Sequence, residues 1–191
     1  MKKVLVLDNY DSFTYNLVHL LRDLGVNGSL EVHRNDKISL AEVEKFDKIL
    51  LSPGPGLPSE AGIMPELIGK YAPTKSILGI CLGHQGISEV FGAKLENMED
   101  VLHGVATKAL VQRTDEVLFR NLPAQFNTCR YHSWTVVPSS VPAHLEVTAV
   151  DENGKVMAIR HQKYQVRGLQ FHPESILTEY GKEMIQNWLD E

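Results

Sequence analysis

The chain has 191 residues, 43% apolar and 23% charged, with a net charge of −5. That is ample for one domain, 1–191, with a full core and an ordinary globular composition. No basic cluster runs along it, which argues against nucleic acid or a membrane surface as a partner. The apolar stretch Val4–Leu7 stops at Asp8, too short for a signal sequence, and no run is long enough to span a bilayer. Two cysteines, Cys81 and Cys129, in such a chain read as reduced cytoplasmic thiols rather than a disulfide framework.

Lys3–Leu7 is a continuous apolar run, as expected of a parallel strand covered on both faces. The polar and aromatic loop Asp8–Phe13 follows, and Ser12 or Thr14 is expected to cap a helix reaching about Gly25, with Leu17, Leu20, Leu21 and Leu24 on one face. A strand at Leu30–His33, a short helix at Leu40–Phe46 and a strand at Lys48–Leu51 come next. Ser52–Pro58 is a rigid proline-glycine loop, and Pro65 suits the first turn of a helix to Tyr71. Ser76–Ile80 reads as a buried strand and Gln85–Phe91 as a helix stopped by Gly92. The second half is richer in strands: 106–111, 127–131, 146–150, 156–161 and 166–170. Asn153-Gly154 forms a hairpin turn, and a closing helix at 179–189 turns Met184, Ile185, Trp188 and Leu189 inward. Alternating strands and helices predict an α/β fold: an open, mostly parallel sheet with helices on both faces and a strand-rich second half. Its site belongs at the carboxyl ends of the strands.

Cys81 sits at the strand-to-helix corner Gly79-Ile80-Cys81-Leu82-Gly83. Gly-x-Cys-x-Gly is the nucleophile-elbow pattern with sulfur in place of oxygen, and the helix behind it favours thiolate. A lone cysteine there reads first as a buried structural one, and the flanking glycines, His84-Gln85 and the partners below reverse that reading. A thiol nucleophile needs an imidazole to move its proton, and the imidazole needs a carboxylate to hold it. His172-Pro173-Glu174 follows a strand, residues two apart point the same way, and proline stiffens the pair. Taken alone, it is also a plain surface strand end. The backbone N–H of Leu82 and the Gly54-Pro55-Gly56 turn are candidate oxyanion donors. Cys81-x-x-His84 has a ligand-like spacing, but no second cysteine pair or His-Glu-x-x-His supports a metal, and no phosphate loop occurs. Neither a metal nor a cofactor is expected. His84 and His132 read as structural or substrate-shaping, and Cys129 as a thiol without a role.

Five blocks together, Asp8–Asn16, Ser52–Gly56, Gly79–Gln85, Arg130–Ser133 and Phe171–Ser175, resemble the class I, triad-type glutamine amidotransferases over almost the whole chain. The first and fourth look like the glutaminase subunits of anthranilate synthase and aminodeoxychorismate synthase. The resemblance implies a flavodoxin-like fold and hydrolysis of L-glutamine by Cys81, His172 and Glu174 through a thioester. It implies ammonia delivery to a partner synthase subunit that aminates chorismate. It also implies that Gly54, Pro55, Gly56 and Gln85 bind glutamine, with backbone at Ser133 and Trp134 holding its α-amino and carboxylate ends. Two departures stand out: Trp134 where relatives often have leucine, and Val105 where they often have lysine. The Asp8–Phe13 loop and the Leu102–Val105 segment are expected to flank the crevice and face the partner. Anthranilate and aminodeoxychorismate remain alternative products, and a silent or redox-sensing module on the same fold is the reading from another class.

Overall fold

The computed structural model describes residues 2–191, with backbone only at 99–102. Met1 and the Leu102 side chain therefore lie outside the described residues.

The parallel half of the sheet holds β1 (Val4–Asp8), β2 (Leu30–Arg34), β3 (Lys48–Leu51), β4 (Ser76–Ile80) and β9 (Val166–Leu169), and its strands pair in the order β2-β1-β3-β4-β9. The antiparallel half adds β8 (Val156–His161), β7 (Leu145–Val150), β5 (Leu95–Val111) and β6 (Gln125–Val136), which completes nine strands among the described residues. The α/β fold is thus present, and the strand-rich second half is its antiparallel extension. The hairpin turn at Asn153-Gly154 joins β7 to β8, with Gly154 N–H donating to the Asp151 carbonyl.

Strand alternation sorts the core into two layers. Leu5, Leu7, Ile49, Leu51 and Ile77 face α3 (Met64–Tyr71) and α4 (Leu82–Val90), with Val43 of α2 (Leu40–Val43) in the same cluster. Val4, Val6, Leu50, Leu78 and Ile80 face Leu17, Val18 and Leu21 of α1 (Thr14–Asp23) and Met184, Ile185 and Trp188 of α5 (Gly181–Asp190). Each such side chain, wholly withdrawn from water, contributes about 1.5–3 kcal/mol before entropy is counted. Helices therefore cover both faces, as the apolar runs predict.

Besides the longer β5 and β6, expected only at 106–111 and 127–131, four local expectations change. Neither Ser12 nor Thr14 caps α1: Phe13 is the N-cap residue, and Thr14 Oγ1 donates to Asp8 Oδ1 at 2.9 Å, so the strand-end carboxylate anchors the helix start. The helix at 40–46 ends at Val43, although Phe46 is buried beyond it. The helix after Cys81 begins at Leu82 rather than Gln85, which puts the cysteine at its N-cap. Leu189 is only half-buried, unlike Met184, Ile185 and Trp188.

Candidate active site

Four of the five connections at the carboxyl edge of the parallel strands, those after β1, β3, β4 and β9, build the site. The loop after β1 is organised by Asp8 Oδ1, which accepts from Tyr10 N–H at 3.0 Å and from Thr14 Oγ1 at 2.9 Å. The loop after β3 is fastened to it: Asn9 N–H donates to Ser52 Oγ, and Asn9 Nδ2 donates to the Ser52 carbonyl, both at 2.8 Å. Gly54 lies so close that a Cβ there would sit 2.5 Å from the Asn9 carbonyl oxygen and 2.8 Å from a Leu82 methyl. Ser52–Gly56, Asn9 and the first residue of α4 are therefore packed as one unit.

Cys81 turns from β4 into α4 with φ 51° and ψ −100°, a strained conformation for a residue with a side chain. Its flanks must be glycine. A Cβ on Gly79 would lie 2.5 Å from the Gly83 carbonyl oxygen, and one on Gly83 would lie 2.6 Å from the Leu51 carbonyl oxygen. Helix and strands thus approach more closely than any other residue permits. The corner aims the Cys81 side chain into a cavity of about 190 Å³, lined by Gly54, Pro55, Gly56, Gln85, His103, Tyr131, His132, Ser133 and Trp134. This is below the roughly 300–1,000 Å³ of drug-sized sites and suits a small polar ligand.

β9 runs parallel to β4, with Ile80 beside Leu169, and Cys81 N–H donates to the Leu169 carbonyl at 2.8 Å. The chain beyond β9 is thereby laid next to the thiol. His172 N–H is held by the Cys129 carbonyl, and Thr178 Oγ1 donates to the His172 carbonyl at 2.6 Å. His172 Nδ1 meets Glu174 Oε1 at 2.6 Å with both side chains buried. Phe13 and Tyr131 stand edge-on to the imidazole, their centroids 5.7 and 5.2 Å away. Burial pushes the His172 ring toward the neutral form, but Cys81 and Glu174 together outweigh it and raise its pKa to about 10. With Glu174 occupying Nδ1, the second nitrogen, Nε2, has no hydrogen-bond partner among the described residues. The sulfur itself lies 3.7 Å from the Tyr131 carbonyl and 3.6 Å from Gln170 Nε2. Asp11 adds a further carboxylate, whose pKa burial raises.

The sequence-derived residues come together with two distinctions. Cys81, Gly54, Pro55, Gly56, Gln85, Ser133 and Trp134 line one cavity. Leu82 lines a neighbouring one with Asn9 and Pro55, its side chain against Gly54. Glu174 opens onto a third, of about 520 Å³, bordered by Phe13, Asn16, Tyr131 and Ile176. His132 lines the cavity at Cys81, whereas His84 is wholly buried. Burial, with His132 next, lowers the His84 pKa to about 3. In the Leu102–Val105 segment, His103 reaches the ligand cavity and Val105 is exposed. Sequence reasoning passed over Phe13, Tyr131 and Gln170. For Gln170 a signal existed, since it precedes His172 by the same two-residue step that relates His172 to Glu174.

The profile of the family described as "Glutamine amidotransferase class-I" matches residues 5–191. A "Multifunctional tryptophan biosynthesis protein" of Phycomyces blakesleeanus is 46% identical over 188 residues, which cover 97% of this chain and 24% of that protein. The chain thus spans about a quarter of that relative's length. The "Aminodeoxychorismate/anthranilate synthase component 2" of Bacillus subtilis is 43% identical over 189 residues, 98% of this chain and 95% of the relative. Among solved structures, a "putative gmp synthase subunit a protein" of Thermoplasma acidophilum superimposes with a TM-score of 0.88 at 29% identity, covering 100% of this chain and 93% of that one. A thiol at a strained strand-to-helix corner, a buried imidazole–carboxylate pair beside it, and a match along nearly the whole length lead to one conclusion: the chain belongs to the class-I glutamine amidotransferases.

Proposed function

We propose that residues 1–191 act as a single domain, the glutaminase subunit of a synthase that aminates chorismate, with Cys81, His172 and Glu174 as its triad. The observation that carries this reading is the 2.6 Å pair of His172 Nδ1 with Glu174 Oε1, which leaves Nε2 free on a ring that Cys81 also helps to hold protonated. Glutamine enters the cavity lined by Gly54, Pro55, Gly56 and Gln85, with its α-amino and carboxylate ends at the Ser133 and Trp134 backbone. Sγ attacks the side-chain amide carbon as the thiolate, its proton held on His172. Negative charge on the carbonyl oxygen is met by the Leu82 N–H at the start of α4 and by the Gly54–Gly56 backbone. The intermediate collapses, His172 protonates the departing nitrogen, and ammonia leaves behind a γ-glutamyl thioester. His172 then takes a proton from water, which attacks the thioester, releases glutamate and restores the thiol. None of these steps calls on a cofactor.

Ammonia passes to a separate subunit. Ile176, which is 98% exposed at the rim of the 520 Å³ cavity beside Glu174, and the exposed Val105 offer that subunit apolar surface near the site. We assign the product as anthranilate. Aminodeoxychorismate is the second reading, because the Bacillus subtilis relative carries both names. Two unpaired thiols are in keeping with a cytoplasmic location. The test compares glutamine- and ammonium-supported product formation, in complex with the synthase, for wild type and Cys81→Ala. Loss of the glutamine reaction alone is expected. Equal loss of both by a variant that still binds its partner would overturn the division of labour.

A further inference from the structure

We propose that Gln170 is a further catalytic residue: its side-chain amide donates to the Cys81 sulfur and favours the thiolate, while Gln85 ties that amide to the Trp134 carbonyl in the ligand cavity. The proposal rests on the reading of Cys81 as the nucleophile.

Gln170 is completely buried, one residue beyond β9, whose last residue, Leu169, pairs with Ile80 next to Cys81. A primary amide in such a place has to find partners for both its ends. Its Oε1 lies 3.2 Å from Gln85 Nε2, and its Nε2 lies 3.6 Å from Cys81 Sγ. The orientation is not a free choice, because groups with fixed roles anchor the chain further along. A backbone carbonyl can only accept, and the Trp134 carbonyl lies 2.9 Å from Gln85 Nε2. Gln85 must therefore present its NH₂, whose second hydrogen goes to Gln170 Oε1. Gln170 is left with its NH₂ facing the sulfur.

The far end is equally determined. The Trp134 carbonyl also receives His132 Nδ1–H at 2.7 Å, because Arg130 Nε, which can only donate, holds His132 Nε2 at 2.9 Å. Arg130 is in turn paired with Asp151 at 2.7 Å. Donors thus converge on the Trp134 carbonyl from two sides: His132, fixed by the buried ion pair, and Gln85, which leads on through Gln170 to the sulfur.

Besides His172, two protein groups meet the sulfur, and they favour opposite states. The Tyr131 carbonyl, 3.7 Å away, can only accept and so suits the thiol. The Gln170 amide can only donate at this point and so suits the thiolate, since a donor bonds more strongly to an anion than to a neutral acceptor. Removing the amide leaves His172 alone to oppose the carbonyl. Because the same amide is held through Gln85 by the Trp134 carbonyl, displacement of the Trp134 backbone would also reach the sulfur.

The test is alkylation of the full chain by iodoacetamide across pH, read by mass spectrometry on the Cys81 peptide. Wild type, Cys81→Ala, Gln170→Met and Gln170→Glu are compared. Gln170→Met keeps the volume and removes the donor. It should slow alkylation about tenfold at neutral pH, the size expected for one charge-assisted hydrogen bond, and move the rate–pH profile to higher pH. Gln170→Glu keeps the shape but turns an anionic oxygen toward the sulfur, and its profile should move further. In complex with the synthase, both should lose kcat with KM little changed. A role in packing alone would alter the melting temperature and leave the profile where it was. Identical profiles for wild type and a folded Gln170 variant would overturn the proposal, and Gln170→Glu carries the test if Gln170→Met does not fold. Failure of the nucleophile reading is distinct: it would appear as glutaminase activity retained by Cys81→Ala, whatever Gln170 does.

Discussion

Arg130 Nη1 lies 2.7 Å from Asp151 Oδ2, an ion pair between side chains only 2% and 7% exposed. The aspartate does more than neutralise the arginine. Its other oxygen accepts from Asn153 N–H and Lys155 N–H, both at 2.9 Å, so the hairpin turn between β7 and β8 positions the carboxylate that holds Arg130 against His132.

Asp151→Asn should accordingly cost about 3–5 kcal/mol, because it strands a guanidinium in the core rather than merely deleting a bond. Urea unfolding gives the number. Arg130→Met with Asp151→Leu should recover much of the loss, since replacing both charges by apolar groups removes the desolvation cost along with the attraction. A double variant no more stable than Asp151→Asn would contradict this account.

The two buried imidazoles next to the site should make the protein acid-labile well above the carboxylate range. Burial and then His132 hold His84 down at about 3, while burial and then Arg130 hold His132 down at about 4. Both rings ionise near 6.5 once unfolded. Between those limits the unfolded chain binds protons that the folded chain refuses, so stability falls as pH drops below about 6.5. The slope is about 1.4 kcal/mol per pH unit for each ring until its folded value is reached. Denaturation midpoints from pH 7 to pH 4 measure it. His84→Gln should flatten the curve whatever it costs at pH 7.

The glycines separate into positions where a methyl group is forbidden and positions where it is welcome. Gly79→Ala drives Cβ into the Gly83 backbone, which belongs to the first turn of α4 and has no flexible side chain to yield. A loss of about 1–3 kcal/mol is expected from overpacking, together with slower alkylation of Cys81 as the elbow opens. Gly69 in α3 has open space where a Cβ would go, and Gly69→Ala should stabilise by about 0.5–1 kcal/mol through helix propensity. Thermal melts of the two variants should move in opposite directions.

These contrasts mark what the sequence makes legible. Lys48–Leu51, Ser76–Ile80 and Val156–His161 have the bounds read from their apolar runs, because each is a short buried strand closed off by turns. The first eleven residues of β5 were not readable: Glu96, Asn97 and their neighbours show no alternation, and it is pairing with β6 that makes them a strand. The start of α1 was misread for a related reason, since the anchor comes from Asp8 on the preceding strand rather than from a local cap. In the site, Cys81, His172 and Glu174 carry sequence patterns because each stands beside a turn. The Arg130–Asp151 pair does not, because its contact spans 21 residues of chain, and Gln170 shows only its two-residue step to His172, its contact with Cys81 spanning 89 residues.

Glu174→Gln should separate the two services a carboxylate renders to an imidazole. A glutamine oxygen can still accept from Nδ1–H and keep the ring oriented, but the charge is gone. Burial alone pushes His172 toward neutrality, and it is Cys81 and Glu174 that raise it to about 10. The variant ring should therefore titrate at lower pH, which NMR of the imidazole reads directly. The sign of the stability change follows. A histidine whose folded value lies above its unfolded 6.5 contributes stability that is fully present below about 6.5 and is lost as pH rises through about 10. Wild type should thus exceed Glu174→Gln most clearly below pH 6.5, and the advantage should shrink as pH climbs toward 10. Turnover in the synthase complex should fall about 10–100-fold, or ~1.4–2.7 kcal/mol of transition-state stabilisation. For His172→Ala, which removes the group we propose to carry the proton, it should fall by about 10²–10⁴-fold. If Glu174→Gln proved the more damaging of the two at equal stability, orientation of the ring by charge would outrank proton transfer, and the roles assigned to the pair would have to be exchanged.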